Sequence, residues 1–276
     1  MLKLAVIGKD VSKSTSPQIH KFIAENLGLE ISYEAISVAE NEFESRVDGL
    51  LKVYDGLNVT IPYKLSIIPH LNGVEGDALT FGAVNTVVTK TLTGYNTDGL
   101  GFMQMLENNG VKVGGENVLL LGAGGAGRSV AKKLLDAGAI VEIYDKNAAN
   151  AKAVADEFSG VTAVESVIAK PRGLIVNATG VGMHRSEGVS PVPAEILEGC
   201  DVAVDLIYEP EKSEFLRIAE SLGKKIINGR AMLFYQAYYS ECYYFGLKPS
   251  AKTAAELFKK YLTALVSSCP AECGTK

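Results

Sequence analysis

Residues 118–138, VLLLGAGGAGRSVAKKLLDAG, constrain the fold more than any other stretch. Residues 118–121 form a short apolar run of the kind found in a strand buried on both faces. Gly122-Ala123-Gly124-Gly125-Ala126-Gly127 then turns the chain, and Val130, Ala131, Leu134 and Leu135 follow at helical spacing. Strand, glycine turn and helix in this order give a G-x-G-x-x-G the context that makes it a dinucleotide-binding motif. Gly122 permits the tight turn, Gly124 lets a pyrophosphate approach the backbone, and Gly127 lets the helix pack close to the strand. The free N–H groups at the helix start then face the phosphates. A second strand over 140–144 ends in Asp145, where a ribose-binding acid belongs.

The 276 residues, 47% of them hydrophobic, suffice for one large domain or two smaller ones, each with its own core. A net charge of −5 with no basic run argues against nucleic acid or an anionic membrane as a partner. No apolar stretch approaches the ~18 residues that span a bilayer. The start, MLKLAVIGKD, reads as a first strand rather than a signal peptide. The four cysteines, Cys200, Cys242, Cys269 and Cys273, are sparse and irregularly placed, so a reduced, cytoplasmic protein is expected. Cys269 and Cys273 have no histidine or second cysteine pair beside them, and no metal site is expected.

Along the chain, residues 4–7 predict a buried strand, followed by a hydroxyl-rich loop over 8–16. Pro17 opens a helix with Ser16 as its expected N-cap and Ile19, Phe22, Ile23 and Leu27 as its apolar face. A strand over 33–38, a helix marked by Phe43, Val47, Leu50 and Leu51, and a strand over 56–60 follow. Pro62 can begin a further helix over 62–71. The alternation predicts a mostly parallel sheet, with a hairpin over 83–89 and 93–96 appended to it. Beyond a hinge helix over 98–109, strands are expected over 173–177, 201–207 and 225–227, and helices over 148–158 and 212–222. With the strands flanking the glycine turn, they make a doubly wound sheet of four or five strands.

The expected fold is therefore α/β with two domains. A mostly parallel substrate domain occupies 1–100 and is completed by C-terminal helices within 237–276. A Rossmann-type nucleotide domain occupies 101–236. Helices read over 232–245 and 252–266 have no further strand to cover and should pack back on the first domain.

A dinucleotide enzyme needs its substrate beside the nicotinamide and a group that moves a proton. The cleft between the domains, at the strand C-termini, is the natural place. There the first domain offers Ser14 and Ser16, then Asn58, Thr60 and Lys64, then Asn85 on the hairpin and Asp98 at the start of the hinge helix. Hydroxyls and amides with one cation suit a small polyhydroxylated anion. Each residue alone admits a plainer reading: Ser16 and Asp98 as helix caps, Asn58 and Asn85 as turn residues, Lys64 as a surface lysine. His20, His70 and His184 read as surface or helix residues. Tyr208-x-x-x-Lys212 and Tyr244-x-x-x-Lys248 match the spacing of short-chain reductases, but Pro210 interrupts one and Gly246 and Pro249 the other. Tyr235, Tyr239 and Tyr243 form one helical stripe, expected to pack in the core or against a second subunit.

Seven separated motifs, in order over nearly the whole chain, resemble those of the shikimate–quinate dehydrogenase family. They are Ser14-Thr-Ser16-Pro17, Asn58-Val-Thr60-Ile-Pro62-Tyr-Lys64, Gly82-Ala-Val-Asn85-Thr86 and Asn96-Thr-Asp98-Gly99, then Gly122-Ala-Gly-Gly-Ala, Asn177-Ala-Thr-Gly-Val-Gly-Met183 and Gly229-x-x-Met232-Leu-x-x-Gln236-Ala. The resemblance implies a reversible, NADP-linked reduction of 3-dehydroshikimate to shikimate in aromatic amino acid biosynthesis. It implies Lys64 as proton donor to the carbonyl oxygen, or acceptor in reverse, with Asp98 bonded to the same hydroxyl and holding Lys64 in place. An ammonium there stabilises the charge that develops on oxygen as hydride arrives.

Ser14, Ser16, Asn58, Thr60, Asn85 and Gln236 would hold the ring hydroxyls and carboxylate. Gly122, Ala123, Gly124, Gly125 and Ala126 would cradle the cofactor. Ala178, Thr179 and Gly229 would also bind the cofactor, and Met183 and Met232 would line the nicotinamide side. NADP-using members commonly carry Asn-Arg-Thr where this chain has Asp145-Lys146-Asn147. An acid there favours a free 2′-hydroxyl, so NADP and NAD both stand as cofactors. Serine at both 14 and 16 favours shikimate over quinate; the alternative is a quinate/shikimate dehydrogenase preferring NAD. A monomer or homodimer is expected.

Overall fold

The computed structural model describes residues 1–183 and 186–268. His184, Cys269 and Cys273 lie outside the described residues. The chain begins with β1 (Leu2–Gly8), α1 (Ser16–Asn26), β2 (Ile31–Ser37), α2 (Phe43–Val53) and β3 (Gly56–Val59). β1 lies between β2 and β3 and is parallel to both. Its Leu4, Ala5 and Ile7 are fully buried, as a central strand covered on both faces requires.

The sheet then changes character. β4 (Gly73–Val74), α3 (Asp77–Phe81), β5 (Thr86–Val88) and β6 (Thr93–Tyr95) complete it in the order β2-β1-β3-β5-β6-β4. β5 is antiparallel to β3 and β6 is antiparallel to β5, so the appended hairpin makes the sheet mixed. The hairpin turns at Leu92, whose φ is +52°.

Two local expectations fail here. Residues 62–71 do not form an α-helix; they make tight turns ending in a short 3-10 segment, Ile68–His70. Pro69 has no N–H to continue a helical ladder. The carbonyl of Lys64 is already taken by the N–H of Val84 at 2.8 Å, which pins the segment to the hairpin instead. Ser16 is not the cap of α1 but its first residue. Thr15 occupies the cap position, with no side-chain cap bond, and Ser16 N–H donates to Ser14 Oγ at 3.2 Å.

α4 (Asp98–Asn108) leads to the second sheet, built from β7 (Asn117–Leu121), α5 (Gly125–Asp136), β8 (Ile140–Tyr144), α6 (Ala148–Glu157), β9 (Val161–Ala163) and β10 (Arg172–Asn177). After them come α7 (Ala194–Glu198), β11 (Cys200–Asp205), α8 (Glu214–Ser221), β12 (Lys225–Ile227), α9 (Arg230–Phe245) and α10 (Ala251–Ser268). The strand order β9-β8-β7-β10-β11-β12 is parallel throughout. It is the doubly wound order of dinucleotide-binding sheets, with its switch point between β7 and β10. β4 and β9 are too short to have announced themselves by periodicity.

α9 runs beside both α4 and α1, and α10 packs on α9. One apolar cluster passes from Ile19 and Ile23 of α1 through Phe102 and Met105 of α4 and Phe234 and Tyr235 of α9 to Val118, Leu120 and Val130 of the second sheet and its helix. The tyrosine stripe of α9 packs against other elements of the chain. Asn108 Nδ2 donates to the hydroxyl of Tyr235 at 2.6 Å, Tyr239 donates to Gln104 Oε1 at 2.9 Å, and Tyr243 stacks on Tyr95 at 4.0 Å. α5 is also tied to the first sheet's side: Lys133 Nζ lies 2.8 Å from Asp77 Oδ1, and Arg128 Nε donates to Phe81 O at 3.0 Å.

Candidate active site

A cavity of about 270 Å³ lies between the C-terminal ends of the two sheets. The first sheet contributes Asn58 and Thr60 from the end of β3, Lys64 from the turns that follow, and Asn85 at the entry to β5. α1 presents Ser16, α4 presents Asp98, and α9 presents Met232 and Gln236. The second sheet contributes Gly125 and Ala126 at the start of α5, and Gly229 just before α9.

Lys64 Nζ donates to Asp98 Oδ2 at 2.5 Å, with the two side chains 17% and 10% exposed. Asp98 is not a cap: Thr97 holds that position, and Asp98 spends its carboxylate on neighbours instead. Its other oxygen, Oδ1, accepts from Asn85 Nδ2 at 2.8 Å. Asn85 is fixed in turn, because its Oδ1 accepts the N–H of Thr97 at 2.9 Å. The place of Asp98 at the first turn of α4 also sets its carboxylate against the positive end of the helix.

Behind this pair runs a buried polar network. Asn58 accepts the hydroxyl of Tyr33 on Oδ1 at 2.7 Å and donates from Nδ2 to Ser240 Oγ at 3.1 Å and to the carbonyl of Asn85 at 3.2 Å. Tyr33 stacks on His20 with 4.3 Å between ring centroids. His20, read from the sequence as a surface or helix residue, is on a helix but fully buried, and its Nδ1 lies 2.6 Å from Glu241 Oε1, also fully buried. Its partner comes from 221 residues away, so no local pattern marks it. His70 faces Asp48 and Glu44 near the surface.

The glycine turn has the shape a dinucleotide needs. Gly122 has φ +99°, in the region that favours glycine. A Cβ on Gly127 would lie 2.0 Å from the carbonyl oxygen of Gly122, so only glycine allows the helix this close. Gly124 and Gly125 have open space where a side chain would stand. The first turn of α5 has no side-chain cap, which leaves its N–H groups for an anion. The residues present therefore fit a pyrophosphate.

The remaining sequence candidates lie around the cavity rather than in its wall. Ser14 supports Ser16. Asp145 closes the glycine turn, accepting Ala123 N–H on Oδ2 at 2.8 Å and Asn147 N–H on Oδ1 at 2.9 Å. Lys146 beside it is exposed. The carbonyl of Ala178 packs against Gly122, the N–H of Thr179 donates to Asn177 Oδ1 at 3.0 Å, and Met183 is 39% exposed.

Sequence reasoning missed part of the wall. Ile61, Leu206, Tyr208 and Leu233 also line the cavity. Burial raises the pKa of Tyr208, against the lowering effect of Thr15. The tyrosine was visible only as half of a rejected Tyr-x-x-x-Lys spacing. Among the described residues, no His, Cys, Asp and Glu cluster could hold a metal, and no helix is long and apolar enough to cross a membrane.

Residues 6–87 match the family model of the shikimate dehydrogenase substrate binding domain. Shikimate dehydrogenase (NADP(+)) of Thermus thermophilus is 39% identical over 264 residues, which cover 95% of this chain and 99% of the relative. The chain belongs to the shikimate dehydrogenase family. The namesake from Carboxydothermus hydrogenoformans is 38% identical over 90% of this chain and 92% of its own. The crystal structure of shikimate 5-dehydrogenase from Thermus thermophilus in complex with NADP(H) and shikimate superposes with a TM-score of 0.84 at 39% identity, covering 94% of this chain and 99% of that one. Shikimate dehydrogenase 1 from Peptoclostridium difficile gives the same TM-score at 32% identity, over 96% and 100%. The family's substrate-binding model ends one residue before the end of β5, so it takes in Ser16, Asn58, Thr60, Lys64 and Asn85 but neither Asp98 nor α9.

Proposed function

We propose that Lys64 and Asp98 are the proton-transfer pair of a shikimate dehydrogenase, which reversibly reduces 3-dehydroshikimate to shikimate with NADP. The chain is an oxidoreductase acting on a CH–OH group, the class of reaction a shikimate dehydrogenase performs. One observation carries the assignment of the pair: among the described residues, the only lysine in the cavity wall is joined to the only carboxylate in it, at 2.5 Å, opposite the start of the glycine-turn helix.

Bound NADPH would supply the hydride in the reductive direction, and bound NADP+ would take it up in reverse. In the reductive direction the Lys64 ammonium donates its proton to the carbonyl oxygen as negative charge builds there. In the oxidative direction the Lys64 amine takes the hydroxyl proton. Asp98 holds Nζ at the reacting oxygen and bonds the same hydroxyl, while Asn85 keeps the carboxylate from turning. Ser16, Thr60 and Gln236 present a hydroxyl, a hydroxyl and an amide to the rest of a small polyhydroxylated acid. Gln236 donates Nε2 to Leu233 O at 2.9 Å and accepts Asn85 Nδ2 on Oε1 at 3.4 Å, which fixes its amide at the cavity wall. Asn58 lines the cavity beside them, and Ser14 acts behind Ser16.

The test is the appearance of reduced-nicotinamide absorbance when purified protein meets shikimate with NADP. Quinate offered in place of shikimate separates the second reading, which the serines at 14 and 16 disfavour. No absorbance change with either acid would end the proposal.

A further inference from the structure

Asp205 ends β11 fully buried, and three segments on the cofactor side of the cavity donate to its carboxylate. Ser213 Oγ donates at 2.5 Å, Asn177 Nδ2 at 3.0 Å and the N–H of Ile207 at 3.0 Å. Asn177 ends β10 and shapes the loop that follows: its Oδ1 accepts the N–H and hydroxyl of Thr179, and its Nδ2 also reaches Val181 O at 3.2 Å. Ile207 stands between Leu206 and Tyr208, both in the cavity wall. Its carbonyl accepts the N–H of Gly229 at 3.0 Å. Gly229 packs so closely there that a Cβ would lie 2.0 Å from Leu206 O. Ser213 caps α8.

One carboxylate thus joins the ends of β10 and β11, the start of α8 and, through Ile207, the start of α9. The only perturbing groups around it are these neutral donors; no lysine, arginine or histidine pairs with it among the described residues. A buried carboxylate without a cation is costly, and a well-packed apolar residue would be more stable. Its place in the fold calls for a return other than stability.

We propose that Asp205 is a positioning residue for cofactor binding, setting the loops 178–183 and 206–210 against the glycine turn. The proposal rests on the nucleotide reading above. It is tested by calorimetric titration of NADP+ into the Asp205→Asn variant, whose amide keeps the shape but must turn an N–H toward one of three donors. The expected result is NADP+ binding weakened about tenfold or more, with the shikimate KM at saturating NADP+ within about twofold of wild type. In the unliganded protein, amides of 178–183 and 206–210 should exchange faster than in wild type while those of β1 to β3 do not change.

NADP+ affinity within about twofold of wild type overturns the proposal, as does a parallel loss of shikimate affinity. A wild-type protein that binds no NADP+ would sink the functional reading instead, and the exchange pattern would still decide what Asp205 holds. Should Asp205→Asn fail to fold, Ser213→Ala removes one of the three donors. It is expected to weaken NADP+ by about threefold with the same exchange signature, and unchanged affinity in that variant also overturns the proposal.

Discussion

Lys64 Nζ and Asp98 Oδ2 meet at 2.5 Å across 34 positions of sequence. Neither residue reaches the other through its own element: Lys64 is carried by irregular turns pinned through Val84, and Asp98 by the first turn of a helix. Removing the amine should leave the cavity able to bind but unable to move a proton. Lys64→Ala is expected to lower kcat by about 100-fold or more with the substrate KM little changed. Steady-state kinetics with shikimate check this, and unchanged turnover would remove Lys64 from the mechanism.

Asp145 bears on cofactor choice. Its two oxygens hold the N–H groups of Ala123 and Asn147, so its charge stays where a 2′-phosphate would approach the ribose site. Lys146 is exposed and offers a point charge rather than an arginine fork. NAD is expected to support turnover with kcat/KM within about a hundredfold of NADP, and Asp145→Asn to shift the ratio toward NADP. Measuring kcat/KM with both cofactors, for both proteins, decides it.

Burial raises the carboxyl of Asp205 from 3.8 to about 6, against the lowering effect of its hydrogen bonds to Ser213, Ile207 and Asn177. Between these values the folded protein holds a proton that the unfolded chain has released. This group's contribution to stability is therefore complete below the unfolded value and is lost as pH rises through about 6. The stability of wild type minus that of Asp205→Asn should fall by roughly 1–3 kcal/mol between pH ~4 and ~7. Urea unfolding of both proteins across that range is the measurement; a flat difference would refute it.

Glu241 and His20 lock α9 to α1, with both side chains at 0% exposure. Truncating one partner leaves the other's polar atoms buried without it. Glu241→Leu is expected to destabilise the protein by about 3 kcal/mol. Equilibrium denaturation reads the loss directly, and a double replacement with His20→Leu should cost less than the sum of the two singles.

Much of the fold was legible because the governing patterns are local. Gly122, Gly124 and Gly127, set between an apolar strand run and a helical repeat, announce a parallel sheet. The alternation of β1, α1, β2, α2 and β3 does the same for the first sheet. Local reading failed where distant groups decide. Residues 62–71 look helical until Val84 claims the carbonyl of Lys64 and Pro69 withholds a donor. His20 looks like an ordinary helical residue until Glu241 arrives from the far end of the chain. At the cavity, Ser16, Asn58, Thr60, Lys64, Asn85, Asp98 and Gln236 converge as the polar strand ends and the motifs suggest. Asp205 gave no local signal, because what matters in it is the ends of the three segments it joins, and Tyr208 showed only as half of an interrupted Tyr-x-x-x-Lys spacing.

α9 has a consequence for how the protein is made. The first sheet receives Ser240 among its polar side chains and Glu241 beside its first helix, yet both residues are translated well after the second sheet is complete. The face of the first sheet that carries Asn58 and His20 is therefore completed only when nearly the whole chain has been made, whereas the apolar cluster on its other face, from Ala5 to Val87, draws on N-terminal residues alone. A chain stopped at residue 229 would carry every strand of both sheets and still leave Asn58 without Ser240 and His20 without Glu241.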